Sequence, residues 1–262
     1  MDGLRHFLLA LQFFTRVPVT GRLAAWVGYS PAMLRASAAH FPGVGWLVGG
    51  VAAGVFLLAQ AGLPPLAAVL LSTAATVWMT GAFHEDGLAD TADGLGGSAG
   101  RERALAIMKD SRIGSYGALA LVLALGLKVA LLAALAAQGA GAAAAAMLSA
   151  HVLSRLAPLF VIRALPHVGD EGTSKSKPLA DALSGRALAV GLLWALPALA
   201  PVALCLGPAK AAAMLALGAL ATWWMGRLLR RRLQGFTGDG LGATQQLAEL
   251  AIYLALAWRW TA

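Results

Sequence analysis

Between Arg35 and Glu85 the chain carries no Asp, Glu, Lys or Arg, and Lys128 is the only one between Arg112 and Arg155. Uncharged stretches of this length are membrane spans, because a hydrocarbon core of about 30 Å is crossed by a helix of about 20 apolar residues. A soluble domain carries about a quarter charged residues; here the share is 12%, against 59% hydrophobic. The sequence therefore predicts an all-α, polytopic integral membrane helical bundle. Spans are expected at 43–62, 64–83, 116–137, 142–163, 187–206 and 209–226, with a weaker one at 241–258, giving six or seven transmembrane helices.

Pro64-Pro65, Gln138-Gly139 and Gly207-Pro208 mark tight turns, since glycine and proline end helices. Small residues such as Ala142 to Ala146 let helix backbones approach closely where hydrophobicity cannot drive association. Leu4 to Val19 is apolar but interrupted by Arg5, Gln12, Arg16 and Pro18, the pattern of an interfacial N-terminal helix. No small-residue cleavage pattern follows it, which argues against a signal peptide. The single Cys205 excludes an intramolecular disulfide and a zinc-thiolate site.

Charge supplies the orientation. Segments 1–42, 84–115, 163–186 and 227–240 each hold four Lys or Arg, sixteen of the twenty in the chain. The connectors alternating with them carry only Lys210, so the positive-inside rule turns the four basic segments to the cytoplasm. The net charge of +8 then has a topological origin and requires no nucleic-acid partner. Arg227, Arg230, Arg231 and Arg232 read as a span-end anchor, and the eight Trp residues as interfacial anchors. Lys128 and Arg155 fall inside spans but within snorkelling reach of their ends.

A third of the twelve acids lie within residues 84–97: Glu85, Asp86, Asp90 and Asp93. If this segment is helical, steps of about 100° put Asp86, Asp90 and Asp93 on an arc of roughly 60°. Three like charges on one face repel unless a cation neutralises them, and hard carboxylate oxygens suit Mg²⁺, Mn²⁺ or Ca²⁺ rather than zinc. The wider segment 84–115 also carries Arg101, Arg103, Lys109 and Arg112. Acids for a metal and bases for an anion in one loop point to a phosphate substrate. Asp90-x-x-Asp93-Gly94 matches the start of the CDP-alcohol phosphotransferase signature, but the Ala-Arg pair and the later Asp-x-x-x-Asp are missing. Gly172-Thr-Ser-Lys-Ser-Lys177 has a composition that can cradle phosphate, or reads as a solvated loop. Gly238-Asp239-Gly240-Leu241-Gly242-Ala243 repeats the Asp-Gly-Leu-small pattern and adds a carboxylate on the same side.

The block from His84 to Gly97, the run Ile107-Met-Lys-Asp-Ser-Arg-Ile-Gly-Ser-Tyr-Gly117 and Thr237-Gly-Asp-Gly-Leu-Gly-Ala243 together resemble the cobalamin synthase family. Gln12-Phe-Phe-Thr-Arg-Val-Pro18 and Phe41-Pro-Gly-Val-Gly45 extend the likeness to the N-terminus. The resemblance implies one transmembrane catalytic domain over 1–262, in the inner membrane, catalysing the Mg²⁺-dependent adenosylcobinamide-GDP ribazoletransferase reaction of vitamin B12 biosynthesis. The implied partners are adenosylcobinamide-GDP, α-ribazole or α-ribazole 5′-phosphate, and the lipid bilayer. Homo-oligomers, or association with other B12-biosynthesis enzymes, are compatible with it. A flat corrinoid implies an open cytoplasmic cleft.

Joined to this chemistry, Asp86, Asp90 and Asp93 are assigned to Mg²⁺. Glu85, about 100° round the helix from Asp86, is the candidate general base, a metal role staying open. Asp239 is assigned to a second ion or a ribose hydroxyl, and Lys109, Arg112, Lys175 and Lys177 to phosphate contacts. His84 has no paired histidine nearby and reads as structural. The rivals are a phospholipid-headgroup phosphotransferase, which lacks the second half of its signature, and a cation-coupled transporter, which calls for acids in mid-span.

Overall fold

A computed structural model describes residues 2–168 and 183–259. The described residues are helical apart from loops and one isolated parallel bridge between His167 and Phe236. The chain opens with α1 (Asp2–Phe14), which buries Leu9, Ala10, Leu11 and Phe14 and leaves Leu4 exposed, the amphipathic pattern expected of it. Two short helices follow, α2 (Gly21–Val27) and α3 (Pro31–Ser37). At the start of α3, Ser30 Oγ accepts a hydrogen bond from Met33 N at 3.1 Å, satisfying one of the first turn's orphan amides.

α3 runs through a 3₁₀ turn into α4 (Phe41–Gln60), and α5 (Pro65–Thr80) returns alongside it. At Gly81 and Ala82 the backbone takes φ of +66° and +57°, and α6 (Phe83–Gly97) leaves at 86° to α5. Glycine adopts that region freely and alanine does not, so the corner is held from outside. Arg16 N, just past α1, donates to Met79 O at 2.7 Å beside it.

The acidic segment expected as a loop is thus two helices, α6 and α7 (Arg101–Met108). The remainder comprises α8 (Ser115–Ala136), α9 (Ala140–Ser154), α10 (Ala157–Ala164), α11 (Gly185–Ala195), α12 (Leu199–Leu206), α13 (Pro208–Leu233) and α14 (Gly238–Ala257). Five described stretches are long and apolar enough to cross a membrane: 31–60, 115–136, 140–164, 185–206 and 208–233. The bent pair α5 and α6 makes six if counted as one. Leu119, Val122, Leu123, Leu193, Leu204 and Leu220 are each at least 59% exposed, which identifies an outer surface made for lipid.

Three spans differ from expectation, two by an internal break and one at its end. The expected 142–163 span breaks at Arg155 and Leu156, next to Pro158. The 187–206 span holds a 3₁₀ turn at Leu196–Ala198, because Pro197 lacks a donor for the α ladder. The helix expected over 209–226 continues to Leu233, carrying the arginine run as helix. α9 and α14 form the interior. α4 crosses α9 so closely that a Cβ on Gly45 would lie 2.5 Å from His151 O. α14 is not among the stretches apolar enough to span; its burial comes from being surrounded by other helices.

Candidate active site

α6 and α14 meet backbone to backbone. A Cβ on Gly87 would lie 2.8 Å from Asp239 O, so the close contact requires glycine there, and one on Gly242 would sit tightly at 3.3 Å from Gly87 Cα. Thr237 Oγ1 accepts from Gly240 N at 3.0 Å and caps α14, placing Asp239 in its first turn, where the helix dipole favours a carboxylate. The contact brings Asp239 beside Asp86 and Asp90. Asp86 is exposed and Asp90 half-buried. Burial, then the charges of Asp86, Asp239 and Asp93, push the Asp90 carboxyl up to about 7. Burial and Asp86 push Asp239 up to about 6.

Asp93 lies on the same helix but has a different environment. It is buried, with Oδ2 accepting from Gly114 N at 2.7 Å and Oδ1 from Gly117 N at 2.8 Å. Both oxygens therefore fasten the entry of α8 to α6, and with it the 109–114 loop. That loop carries Lys109 and Arg112 near the acidic helix. Arg112 projects into solvent and pairs with Asp110 at 2.6 Å. The hydrogen bonds from Arg112 lower the Asp110 carboxyl to about 2. Arg101 Nε donates to Leu233 O at 2.7 Å, and Arg232 to Ser98 O, so the α6–α7 turn is bound to the end of α13. Lys175 and Lys177 lie outside the described residues.

Glu85 turns inward, away from Asp86. Its Oε1 accepts from Gln246 Nε2 at 3.1 Å, while Oε2 has no hydrogen-bond partner among the described residues. From there a buried polar chain runs along α14. Gln246 Nε2 also donates to Gln245 Oε1 at 3.0 Å, and Gln245 Nε2 donates to Ser154 Oγ at 2.8 Å and to Glu249 Oε2 at 2.7 Å. Glu249 pairs with Lys128 at 2.6 Å and approaches His151 at 3.7 Å. Arg155 Nη1 lies 3.2 Å from His151 Nδ1 and donates to His151 O at 2.9 Å.

Lys128 and Arg155 therefore do not snorkel. Each is 3% exposed, drawn inward by Glu249 and His151 because an unpaired charge in this interior would be far costlier than a paired one. Gln245, Gln246, His151 and Glu249 were not anticipated as polar partners. The available signal was three lone charges in apolar runs whose signs do not all match. His84 is 4% exposed and stacked on Phe14, with ring centroids 5.6 Å apart, the packing role read for it.

A family model described as cobalamin-5-phosphate synthase matches residues 6–257. The chain belongs to that family. It is 58% identical to adenosylcobinamide-GDP ribazoletransferase from Polaromonas naphthalenivorans, an alignment covering 98% of this chain and 99% of the relative. It is 57% identical to the protein of that name from Polaromonas sp. (97% and 96%) and 58% identical to the one from Albidiferax ferrireducens (97% and 98%). No solved structure matches the chain.

The donors fit a divalent cation. Asp86, Asp90 and Asp239 offer hard oxygens and make no ion pair among the described residues, and the charge of Asp86 raises the proton affinity of both Asp90 and Asp239, as expected of carboxylates awaiting a counter-charge. No three His, Cys, Asp or Glu side chains among the described residues converge enough to cage an ion unaided. Mg²⁺ does not require such a cage: it is held by one or two carboxylates, water and substrate phosphates.

Proposed function

We propose that this chain transfers the adenosylcobinamide phosphoryl group of adenosylcobinamide-GDP to α-ribazole or α-ribazole 5′-phosphate. The products are adenosylcobalamin or its 5′-phosphate, and GMP. The family membership and the shared name of relatives aligned over nearly all of both chains support the activity. The observation that carries the site is the glycine crossing, which gathers Asp86, Asp90 and Asp239 from two distant parts of the sequence.

In this reading a ribose hydroxyl attacks the phosphorus that bears cobinamide. A P–O bond forms, the P–O bond to GMP breaks, and the hydroxyl proton leaves to a base. Asp86, Asp90 and Asp239 hold Mg²⁺, with Asp93 maintaining the helix on which two of them stand. When bound, the ion neutralises pyrophosphate oxygens and stabilises charge on the departing GMP. Glu85 is the proton acceptor we assign. Its Oε2 is buried without a donor among the described residues, whereas a carboxylate engaged by metal is a poor base. Lys109 and Arg112 stand on the loop fastened by Asp93 and contact phosphate from there; Lys175 and Lys177 are assigned the same role from sequence. The acidic face opens to the cytoplasm and the protein lies in the inner membrane, supported by the concentration of Lys and Arg in the segments around it.

The test is product release by purified protein in detergent or vesicles. GMP should appear when adenosylcobinamide-GDP and α-ribazole are both present, and a CDP-alcohol lipid should release no CMP. GMP formation absent under both acceptors, or CMP release, overturns the assignment. The buried carboxylate Glu249 gives the transporter reading its one foothold, and its pairing with Lys128 removes it, since the acid is already neutralised.

A further inference from the structure

On another face of α14 the fold forms a second feature that this chemistry does not use. Gly242 and Gln246 face α6, whereas Ala248 and Ile252 line an apolar groove of about 860 Å³ bounded by α9, α10, α11 and α13. Along α13 its wall runs from Met214 to Arg231, about 26 Å at 1.5 Å per residue. One leaflet of hydrocarbon is about 15 Å deep, so the groove is long enough for an acyl chain with its headgroup region. Phe160, Leu192, Leu215 and Trp223 on its lip are 39% to 59% exposed, so it opens sideways where lipid would lie.

One end of the groove is charged. Arg163, Arg227, Arg230 and Arg231 line it, and none of the four pairs with an Asp or Glu among the described residues. Arg163 donates to Leu183 O at 2.8 Å and Arg230 to Ala164 O at 3.4 Å, which leaves most of their guanidinium donors unused among the described residues. The Arg227 guanidinium sits 5.7 Å from the Trp223 ring, and tryptophan marks headgroup depth.

We propose that this groove binds an anionic phospholipid, with an acyl chain along the α13 wall and the phosphate among the four arginines. Charge complementarity selects the occupant. Basic pockets between spans attract anionic headgroups, and arginine forks match phosphate oxygens. A soluble phosphate would satisfy the arginines but leave the long apolar wall uncovered; a neutral lipid would do the reverse. The proposal extends the span-end role of the arginine run from general anchoring to a defined lipid site.

Native mass spectrometry of the full chain, released from detergent containing equal dioleoyl-phosphatidylglycerol and dioleoyl-phosphatidylcholine, tests it. Wild type should retain phosphatidylglycerol preferentially. The double change Arg227→Gln with Arg231→Gln should reduce that preference about thirtyfold, the effect of two basic side chains at an anionic surface. Gly226→Leu places a side chain where nothing lies within 4 Å of the glycine's Cβ position, inside the groove, and should lower retention of both lipids with the arginines intact. It also removes a helix-weakening glycine, so it keeps the test decisive if the arginine variant fails to fold. Equal retention of the two lipids by wild type overturns the proposal, as does unchanged preference in the folded variants. Displacement of the lipid by millimolar inorganic phosphate would assign the arginines to a soluble anion. Disulfide-linked dimers of Trp223→Cys in place of lipid retention would assign the groove to a second copy.

Discussion

At the start of α14, Asp239 stands with Asp86 and Asp90 and forms no ion pair among the described residues; ten residues further on, Glu249 is 1% exposed and holds Lys128 at 2.6 Å. The same helix thus leaves one carboxylate group electrostatically open and closes the other. Burying a charge is tolerable only when its partner comes from within the fold, as at Glu249. Where no partner comes from the fold, one must come from outside, and the open group is the one placed at the accessible end. In the function proposed above, the contrast separates carboxylates that hold the bundle together from carboxylates kept for a ligand.

The largest expected effect strikes the open group. Asp90→Asn keeps the volume and removes a charge the structure does not use for packing, so turnover should fall about a thousandfold or more with no loss of melting temperature. GMP release and a thermal melt on the same sample check both halves. Near-normal turnover at low Mg²⁺ would break the comparison from this side.

The closed group should behave in reverse. Lys128→Met leaves Glu249 buried without its nearest cation and should cost about 3–5 kcal/mol of stability, while Lys128→Met with Glu249→Gln should recover much of it. Thermal unfolding in one detergent decides. If the double change is as damaging as the single, the pair does not act by charge balance.

Glu85 lies between the two groups, with one oxygen held by the buried chain. Glu85→Gln should slow turnover about a hundredfold and leave the Mg²⁺ concentration for half-maximal rate nearly unchanged, whereas Asp86→Asn should raise that concentration. Rescue of Glu85→Gln by excess Mg²⁺ would move Glu85 into the open group.

The smallest effect is a pH dependence. Asp90 and Asp239 bind protons more tightly folded than unfolded, so between about pH 4 and pH 7 folding takes up protons and stability declines as pH rises. Without divalent cations the melting temperature should drop by about 2 °C or more from pH 6 to pH 8, and Mg²⁺ should reverse the drop at pH 8. An identical pH profile with and without Mg²⁺ would remove the open group's claim to a cation.

Much of this was visible in the sequence. The uncharged runs located α4, α5 and α8 closely, because a membrane demands continuous apolar length and little else imitates it. The acids of residues 84–97 stood out for their density. The helical state of α6 was only conditional, since its four glycines give weak local preference; contact with α8 and α14 supplies what propensity does not. The different environment of Asp93 depends on amides of Gly114 and Gly117, which have no side chains to announce them. The partner of Lys128 could not be paired by spacing, because Glu249 lies more than ninety residues away.

The contact of Gly87 with Asp239 also has a metrological side. The gap between the two carboxylate-bearing helices is gauged by a missing methyl rather than by any donor atom. Mg²⁺ takes oxygens at about 2.0–2.1 Å and Ca²⁺ at about 2.3–2.6 Å, a difference smaller than the displacement a single added carbon would force on the crossing. At the proposed site, a change in that backbone spacing would move the carboxylates of the two helices relative to one another without a single ligand being exchanged.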